Sequence, residues 1–219
     1  MSAARRPDMD PLQGVSRETL RRLEVFVETL ERWQKAINLV GKTTMDGVWK
    51  RHVADSAQIV PLLPERAATL VDLGSGGGFP GLVIAAMRPD LQLTMIESDA
   101  RKSAFLGEAA RKMGLQKQPK IVIQRIESAP PAGADVVTAR ALAPLGRLLE
   151  WSSRHRTDTA ICLFHKGKGW QAEVGEAKKE WDFSPEPIAS VTDRDAVILR
   201  IGPYSAADLR DRQPEGRRR

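Results

Sequence analysis

Gly74, Gly76 and Gly78 alternate within Asp72-Leu73-Gly74-Ser75-Gly76-Gly77-Gly78-Phe79-Pro80-Gly81, and two carboxylates bracket them, Asp72 just before and Glu97 further on. Glycines at that spacing let backbone approach a ligand closely, because no Cβ stands in the way, and a helix starting after them offers unpaired N–H groups and the positive end of its dipole. A nucleotide-like cofactor suits such a turn. Two classes meet the pattern: Gly74-x-Gly76-x-Gly78 after Asp72 is the spacing of S-adenosylmethionine enzymes, and Gly76-x-Gly78-x-x-Gly81 also fits the dinucleotide fingerprint. Glu97 serves either class, since a carboxylate there accepts hydrogen bonds from ribose hydroxyls. Asp72 tips the balance. At the mouth of the turn it would repel a pyrophosphate but tolerate a cationic sulfonium and amino group, so S-adenosylmethionine is favoured over an NAD-type cofactor and its oxidoreductase chemistry.

The elements that must hold this turn follow from apolar periodicity. Thr69 to Leu73 reads as a strand into the turn, and 81–87 as the helix leaving it. Upstream, 16–39 forms an amphipathic helix with Ser16 as N-cap, and 47–60 a second helix stopped by Pro61. Downstream, strands at 91–97, 120–125, 135–139 and 159–165 alternate with helices at 100–113 and 145–153, followed by a helix from Gly169 to Lys179. Strands at 183–191 and 195–201 are joined only by Thr192-Asp193-Arg194, which forces an antiparallel hairpin. The expected fold is α/β: a mostly parallel, seven-stranded Rossmann-like sheet of class I methyltransferase type, with a terminal antiparallel hairpin and an N-terminal helical extension. One domain spans 16–205, helices 16–60 included, between a flexible N-terminus at 1–15 and a basic disordered tail at 206–219.

Composition narrows the setting. Cys162 is the single cysteine, so no intramolecular disulfide framework exists, and Cys and His are too few and scattered for a zinc site. A reducing cytoplasm is expected, with no export signal at the start and no membrane-spanning apolar run. The net charge of +6 suits a nucleic-acid partner only weakly, because 1–69, 70–140 and 141–219 each carry an excess of just two basic residues. Arg217-Arg218-Arg219 is the one concentrated block, equally a phosphate contact or a solvated end. No exposed heptad argues for more than a monomer.

With S-adenosylmethionine as donor, the acceptor's chemistry should show after the fourth strand, at Thr138-Ala139-Arg140-Ala141-Leu142-Ala143-Pro144. The acid-proline-aromatic signature of exocyclic-amine methyltransferases is missing there. Cys162 lies inside a strand, as a buried inert thiol rather than a nucleophile for pyrimidine carbon-5. Acceptors needing neither covalent help nor proton removal remain, and nitrogen 7 of guanine is one. Arg140 could hydrogen-bond the guanine oxygen or a phosphate, or form a structural ion pair with Asp72 or Glu127.

Four motifs in order, Arg51-His52-x-x-Asp55-Ser56, the Asp72 to Gly81 turn, Ala139-Arg140-Ala141 and Lys166-Gly167, resemble the glucose-inhibited division protein B family of bacterial small-subunit ribosomal RNA guanine-N7 methyltransferases. The resemblance runs from about Leu30 to Gly202. It implies S-adenosylmethionine-dependent methylation of one guanine in the 530 loop of 16S ribosomal RNA, free or within the small subunit, and cofactor contacts at Gly74, Phe79, Ile126, Glu127 and Arg140. Family members often carry leucine where this chain has Phe79. The Arg51 to Ser56 cluster is either a polar network fastening the N-terminal helices beside the turn or, as the resemblance favours, a cofactor lid or RNA-facing edge in which Arg51 meets phosphate, with His52 counted among the RNA-binding residues but not as a base. Lys166 and Lys168 suit an RNA backbone contact, though loop lysines are most often only solvated. An RNA-binding protein that keeps the fold without activity is the third reading, and retention of Asp72, the glycines and Arg140 speaks against it.

Overall fold

A computed structural model describes residues 10–206; the expected tail lies outside the described residues except for Ala206, as do the first nine residues. The first element, α1 (Arg17–Gln34), begins where Ser16 Oγ accepts from the Thr19 N–H at 3.1 Å. It stops five residues short of the expected 39 because Gln34 captures the following backbone. Its Oε1 accepts from the N–H groups of Leu39 (2.9 Å) and Val40 (3.1 Å), and its Nε2 donates to the Val40 carbonyl at 2.9 Å. The expected helix 47–60 is likewise irregular, a wide π turn at Trp49–Ala54 followed by the short α2 (Asp55–Ala57) and a 3-10 turn at Val60–Leu62. Ser56 Oγ donates to the His52 carbonyl at 2.6 Å, which suits the widened backbone.

The alternation beyond is β1 (Thr69–Leu73), α3 (Gly81–Met87), β2 (Gln92–Ile96), α4 (Ala100–Met113), β3 (Lys120–Val122), β4 (Ala134–Arg140), α5 (Leu145–His155), β5 (Arg156–Lys166) and α6 (Trp170–Ala177). It closes with β6 (Trp181–Asp182), β7 (Pro185–Ala189), β8 (Val197–Ile201) and β9 (Ser205–Ala206). Seven strands form one sheet in the order β3-β2-β1-β4-β5-β8-β7. β1 to β5 are parallel, and β8 and β7 add the antiparallel pair, as the short Thr192-Asp193-Arg194 link requires. Pro185 and Pro187 are tolerated because β7 is the edge strand. The two-stranded β6–β9 ribbon was not anticipated: its strands are two residues each, too short for any periodicity, and the edge-on packing of Trp181 and Tyr204 at 5.7 Å accompanies them.

Two apolar layers cover the sheet, sorted by strand alternation. Leu70 and Leu163 pack with α1, α3 and α4, whereas Val71, Leu73, Val137, Cys162 and Phe164 pack with α5 and α6. The N-terminal helix thus belongs to the core, its Phe26 fully buried against Phe79 and Phe105 at 4.9 and 6.4 Å. Cys162 is fully buried, and burial pushes its thiol up to about 12, so it stays an unreactive core residue.

Candidate active site

The strand order reverses between β1 and β4, and crevices at the carboxyl ends of strands form at such a point. A cavity of about 1190 Å³ lies there, walled by the segments that follow β1 to β5, by the β7–β8 link and by the π turn. Its floor is the glycine turn. Gly74 holds φ at +63°, and a Cβ on it would stand 2.5 Å from Cδ1 of Leu142, which packs directly over it. Gly78, at φ +85°, faces away: a Cβ there would meet Leu82 at 2.8 Å and the Phe26 ring at 3.1 Å, so it seats α1 and α3 and does not line the cavity.

Glu97 stands at the end of β2 and ties the turn to its neighbour. Its Oε2 accepts from the Gly76 N–H at 2.9 Å and its Oε1 from the Asp99 N–H at 2.8 Å, while the residue is largely buried in the cavity wall. Each carboxylate oxygen keeps a second acceptor position for a ligand hydroxyl. Ile126 and Glu127 form the neighbouring wall, held by His155 Nε2, which meets the Ile126 carbonyl at 2.9 Å.

Asp72 is not at the mouth of the turn. It is 1 % exposed and sits behind the glycines, where Oδ1 accepts from Thr138 Oγ1 at 2.9 Å and Oδ2 has no partner among the described residues. Strand parity explains the correction: Leu73 and Val71 face α5 and α6, so Asp72 points with Leu70 toward α3. Burial raises its pKa to about 6, against the hydrogen bond of Thr138 and the polar groups of Ser75, the Gly81 N–H and Arg140 nearby, which pull it down.

Arg140, ending β4, lies over the Phe79 ring with 5.0 Å to the centroid. Its ion pair is with Asp55, not with Asp72 or Glu127: Nη1 donates to Asp55 Oδ2 at 3.3 Å and to the Arg51 carbonyl at 3.2 Å. Burial lowers the guanidinium's pKa and Asp55 holds it up. His52 stacks on Phe79, ring centroids 5.1 Å apart, with Nε2 at 2.8 Å from Thr44 Oγ1. Burial first, then Arg140, drives its pKa down to about 4. His165, from β5, donates Nε2 to the Asp55 carbonyl at 2.9 Å, and burial lowers its pKa as well. Both imidazoles around Arg140 are therefore neutral near pH 7.

The basic residues expected on the RNA side divide. Arg51 is exposed at the cavity mouth, together with Lys50, which the sequence reading did not single out. Lys166 is buried, its Nζ donating to the Ala143 carbonyl and to Glu173 Oε2, both at 2.7 Å, so the ammonium is engaged within the protein. Lys168 is exposed but does not line the cavity. Leu142 was also missed; Ala141, with φ at +51°, turns the chain after Arg140 and brings Leu142 over Gly74. A non-glycine residue in that left-handed conformation cannot be read from sequence.

The family model for rRNA small subunit methyltransferase G (GidB) matches residues 19–197, most of the chain and every segment of this site. The chain belongs to that family. Relatives named ribosomal RNA small subunit methyltransferase G include those of Paramagnetospirillum magneticum, 50 % identical over 86 % of this chain and 90 % of the relative, and Rhodospirillum rubrum, 49 % identical over 86 % and 92 %. At the level of fold, this methyltransferase G family member is similar to the O-methyltransferase TomG from Streptomyces achromogenes in complex with SAM, with TM-score 0.55, 13 % identity and 82 % and 90 % of the two chains covered. The ribosomal protein L11 methylase from Lactobacillus delbrueckii subsp. bulgaricus gives TM-score 0.56 at 13 % identity, over 70 % and 78 %. The class I methyltransferase fold expected from the glycine turn and the terminal hairpin is the fold observed.

The cavity's residues fit the cofactor of this methyltransferase family, S-adenosylmethionine. The glycine turn presents backbone from Gly74 to Gly77 along the cavity, and Glu97 offers acceptor positions beside it. Among the described residues no helix is long and apolar enough to cross a membrane.

Proposed function

We propose that this chain methylates nitrogen 7 of one guanine in the 530 loop of 16S ribosomal RNA, with S-adenosylmethionine as donor, and works as a cytoplasmic monomer. The observation that carries the acceptor assignment is the environment of Arg140. Its neighbours His52 and His165 are held neutral, and the Asp55 carboxylate is occupied by Arg140, Thr192 and Gln58. An acceptor that must lose a proton to react needs a base. A neutral imidazole is one in principle, but the Nδ1 atoms of His52 and His165 are buried away from the cavity and their Nε2 atoms meet Thr44 Oγ1 and the Asp55 carbonyl, so neither ring offers a nitrogen to a ligand. Guanine nitrogen 7 instead attacks through a lone pair already free.

When bound, the cofactor supplies an electrophilic methyl group on a cationic sulfur. The residues of this chain provide position and charge. Backbone at Gly74 to Gly77, the Glu97 carboxylate with its acceptor positions for ribose hydroxyls, and Ile126 and Glu127 line the cavity and would hold the cofactor. Asp72 acts from behind, bonded to Thr138 of β4 and packed so close to Gly81 that a Cβ there would stand 2.8 Å from its Oδ2, without lining the cavity. Arg140 presents donors to the guanine oxygen or a neighbouring phosphate, over the apolar shelf of Phe79. Holding acceptor and donor in line is the main contribution available to catalysis where no proton moves. Arg51 and Lys50 at the mouth suit the RNA backbone, being exposed and, among the described residues, without an ion-pair partner.

The test is direct: incubate the protein and labelled S-adenosylmethionine with small ribosomal subunits and, separately, with free 16S ribosomal RNA. Label expected at one guanine, with borohydride- and aniline-sensitive cleavage diagnostic of 7-methylguanosine, supports the assignment. Label on an amine, a carbon or a sugar overturns it.

A further inference from the structure

Asp55 collects more of the site than any other side chain. Its Oδ1 accepts from Thr192 Oγ1 in the β7–β8 link and from Gln58 Nε2, both at 2.7 Å. Its Oδ2 accepts from Arg140 Nη1 at the end of β4, and its carbonyl accepts from His165 Nε2 in β5. One residue of α2 thus engages the ends of two sheet strands and the hairpin link.

Arg140 is held through a single nitrogen. Nη1 donates to both Asp55 Oδ2 and the Arg51 carbonyl, and one face of the guanidinium rests over Phe79. Nε and Nη2 have no acceptor among the described residues, so their donors are the ones left for a substrate. Which edge of the fork meets the cavity is therefore decided by what grips Nη1. Phe79 offers an attractive face but no directional bond, and the Arg51 carbonyl alone leaves the long side chain free to rotate about that contact.

We infer that Asp55 is the positioning residue of the methyl-transfer site, aiming the free donor edge of Arg140 at the acceptor base and locking that aim to the β7–β8 link through Thr192. This rests on the reading of Arg140 as the residue that meets the acceptor. A merely structural clasp, pinning α2 to the sheet, would also explain the contacts. The two roles differ in what they move. A clasp acts on folding and on the cofactor floor together, while a positioning residue acts on turnover with the cofactor site intact.

Asp55→Asn in the full chain keeps an acceptor oxygen for Thr192 or Gln58 and removes the charge opposite Arg140. Single-turnover methyl transfer to small ribosomal subunits should fall at least tenfold, with S-adenosylmethionine affinity by calorimetry within twofold and the melting temperature within a few degrees of wild type. Combined with Arg140→Lys, it should add no further loss, because the lysine variant has already lost the fork that Asp55 aims. Wild-type turnover in Asp55→Asn, a turnover loss that only tracks lost cofactor binding or stability, or full additivity with Arg140→Lys would each overturn the inference. Should Asp55→Asn fail to fold, Thr192→Val carries the test: turnover reduced threefold or more at unchanged cofactor affinity supports it, and unchanged turnover overturns it. Failure of the wild-type protein to label the RNA would instead strike at the proposed function.

Discussion

Gly74 and Asp72, two residues apart in one turn, act on its opposite sides. At Gly74 a substitution to Ala combines a left-handed φ with a Cβ driven into Leu142, so we expect a loss of about 1–2 kcal/mol in stability and a tenfold or greater rise in the S-adenosylmethionine Kd, read by denaturant titration and calorimetry. Asp72 is read by pH. Its pKa, near 6 when folded and 3.8 otherwise, means the folded state gains as pH falls through 6 toward 3.8, by about 3 kcal/mol in all. His52, lowered to about 4 from 6.5, works in the opposite sense: the stability it contributes is complete above 6.5 and is lost as pH falls toward 4. The two offset each other in wild type. Asp72→Asn removes only the gain, so its melting temperature relative to wild type should fall steadily between pH 7 and 4; a constant difference would refute the buried, proton-hungry carboxylate. The importance of Asp72 was visible in sequence, but its direction needed strand parity, which sets it beneath the turn instead of at its mouth.

Among the elements, regular ones were legible and irregular ones were not. The strands and α4 follow from periodicity, and Asp99 and Gly114 close α4 as N-cap and left-handed C-cap. By contrast, α1 ends because Gln34 folds back on Leu39 and Val40, and the π turn leaves the Arg51 carbonyl to accept from Arg140. Both depend on side chains answering backbone, which a 3.6-residue pattern does not encode. The segment from Ala141 to Pro144 is held the same way. Lys166 Nζ donates to the Ala143 carbonyl and pairs with Glu173, whose Oε2 also accepts from the Leu145 N–H at 2.8 Å. Glu173→Ala leaves a buried ammonium without its counter-charge and α5 without this acceptor at its start. With a third of the Glu173 side chain open to water, a loss of about 2 kcal/mol in urea denaturation is expected. Weaker S-adenosylmethionine binding should accompany it, since Leu142 is carried on that segment.

At the scale of the whole molecule, the cavity runs along the sheet from Arg125 after β3 to Arg194 in the β7–β8 link, five strand spacings or roughly 24 Å at about 4.8 Å each. Glu97 and the glycine turn occupy one half, and Arg140, His165 and Thr192 the other, so on the proposed function donor and acceptor would meet over β1 and β4, where the strand order reverses. Arg21, Arg22, Arg147, Lys179 and Arg200 are each paired with a carboxylate, whereas Lys50 and Arg51 at the mouth have no such partner among the described residues. Exposed residues elsewhere, such as Arg66 and Arg101, also have no ion pair among the described residues, so Lys50 and Arg51 are set apart by their place at the cavity mouth. Charges left unpaired where an RNA backbone would pass contribute through released counterions, an effect that salt erases. Lys50→Ala combined with Arg51→Ala should therefore raise the KM for ribosomal RNA about tenfold at low salt and leave the S-adenosylmethionine Kd within twofold. If both side chains meet single-stranded phosphates, the slope of log affinity against log salt should shrink by about 1.4, at about 0.7 per contact. The two proteins should then converge at high salt, because the double variant has lost only a term that salt already removes. A KM gap that stays constant with salt would mean that these two residues act through packing or base contacts, and the phosphate path would have to be sought along the Lys102 and Arg125 side of the cavity.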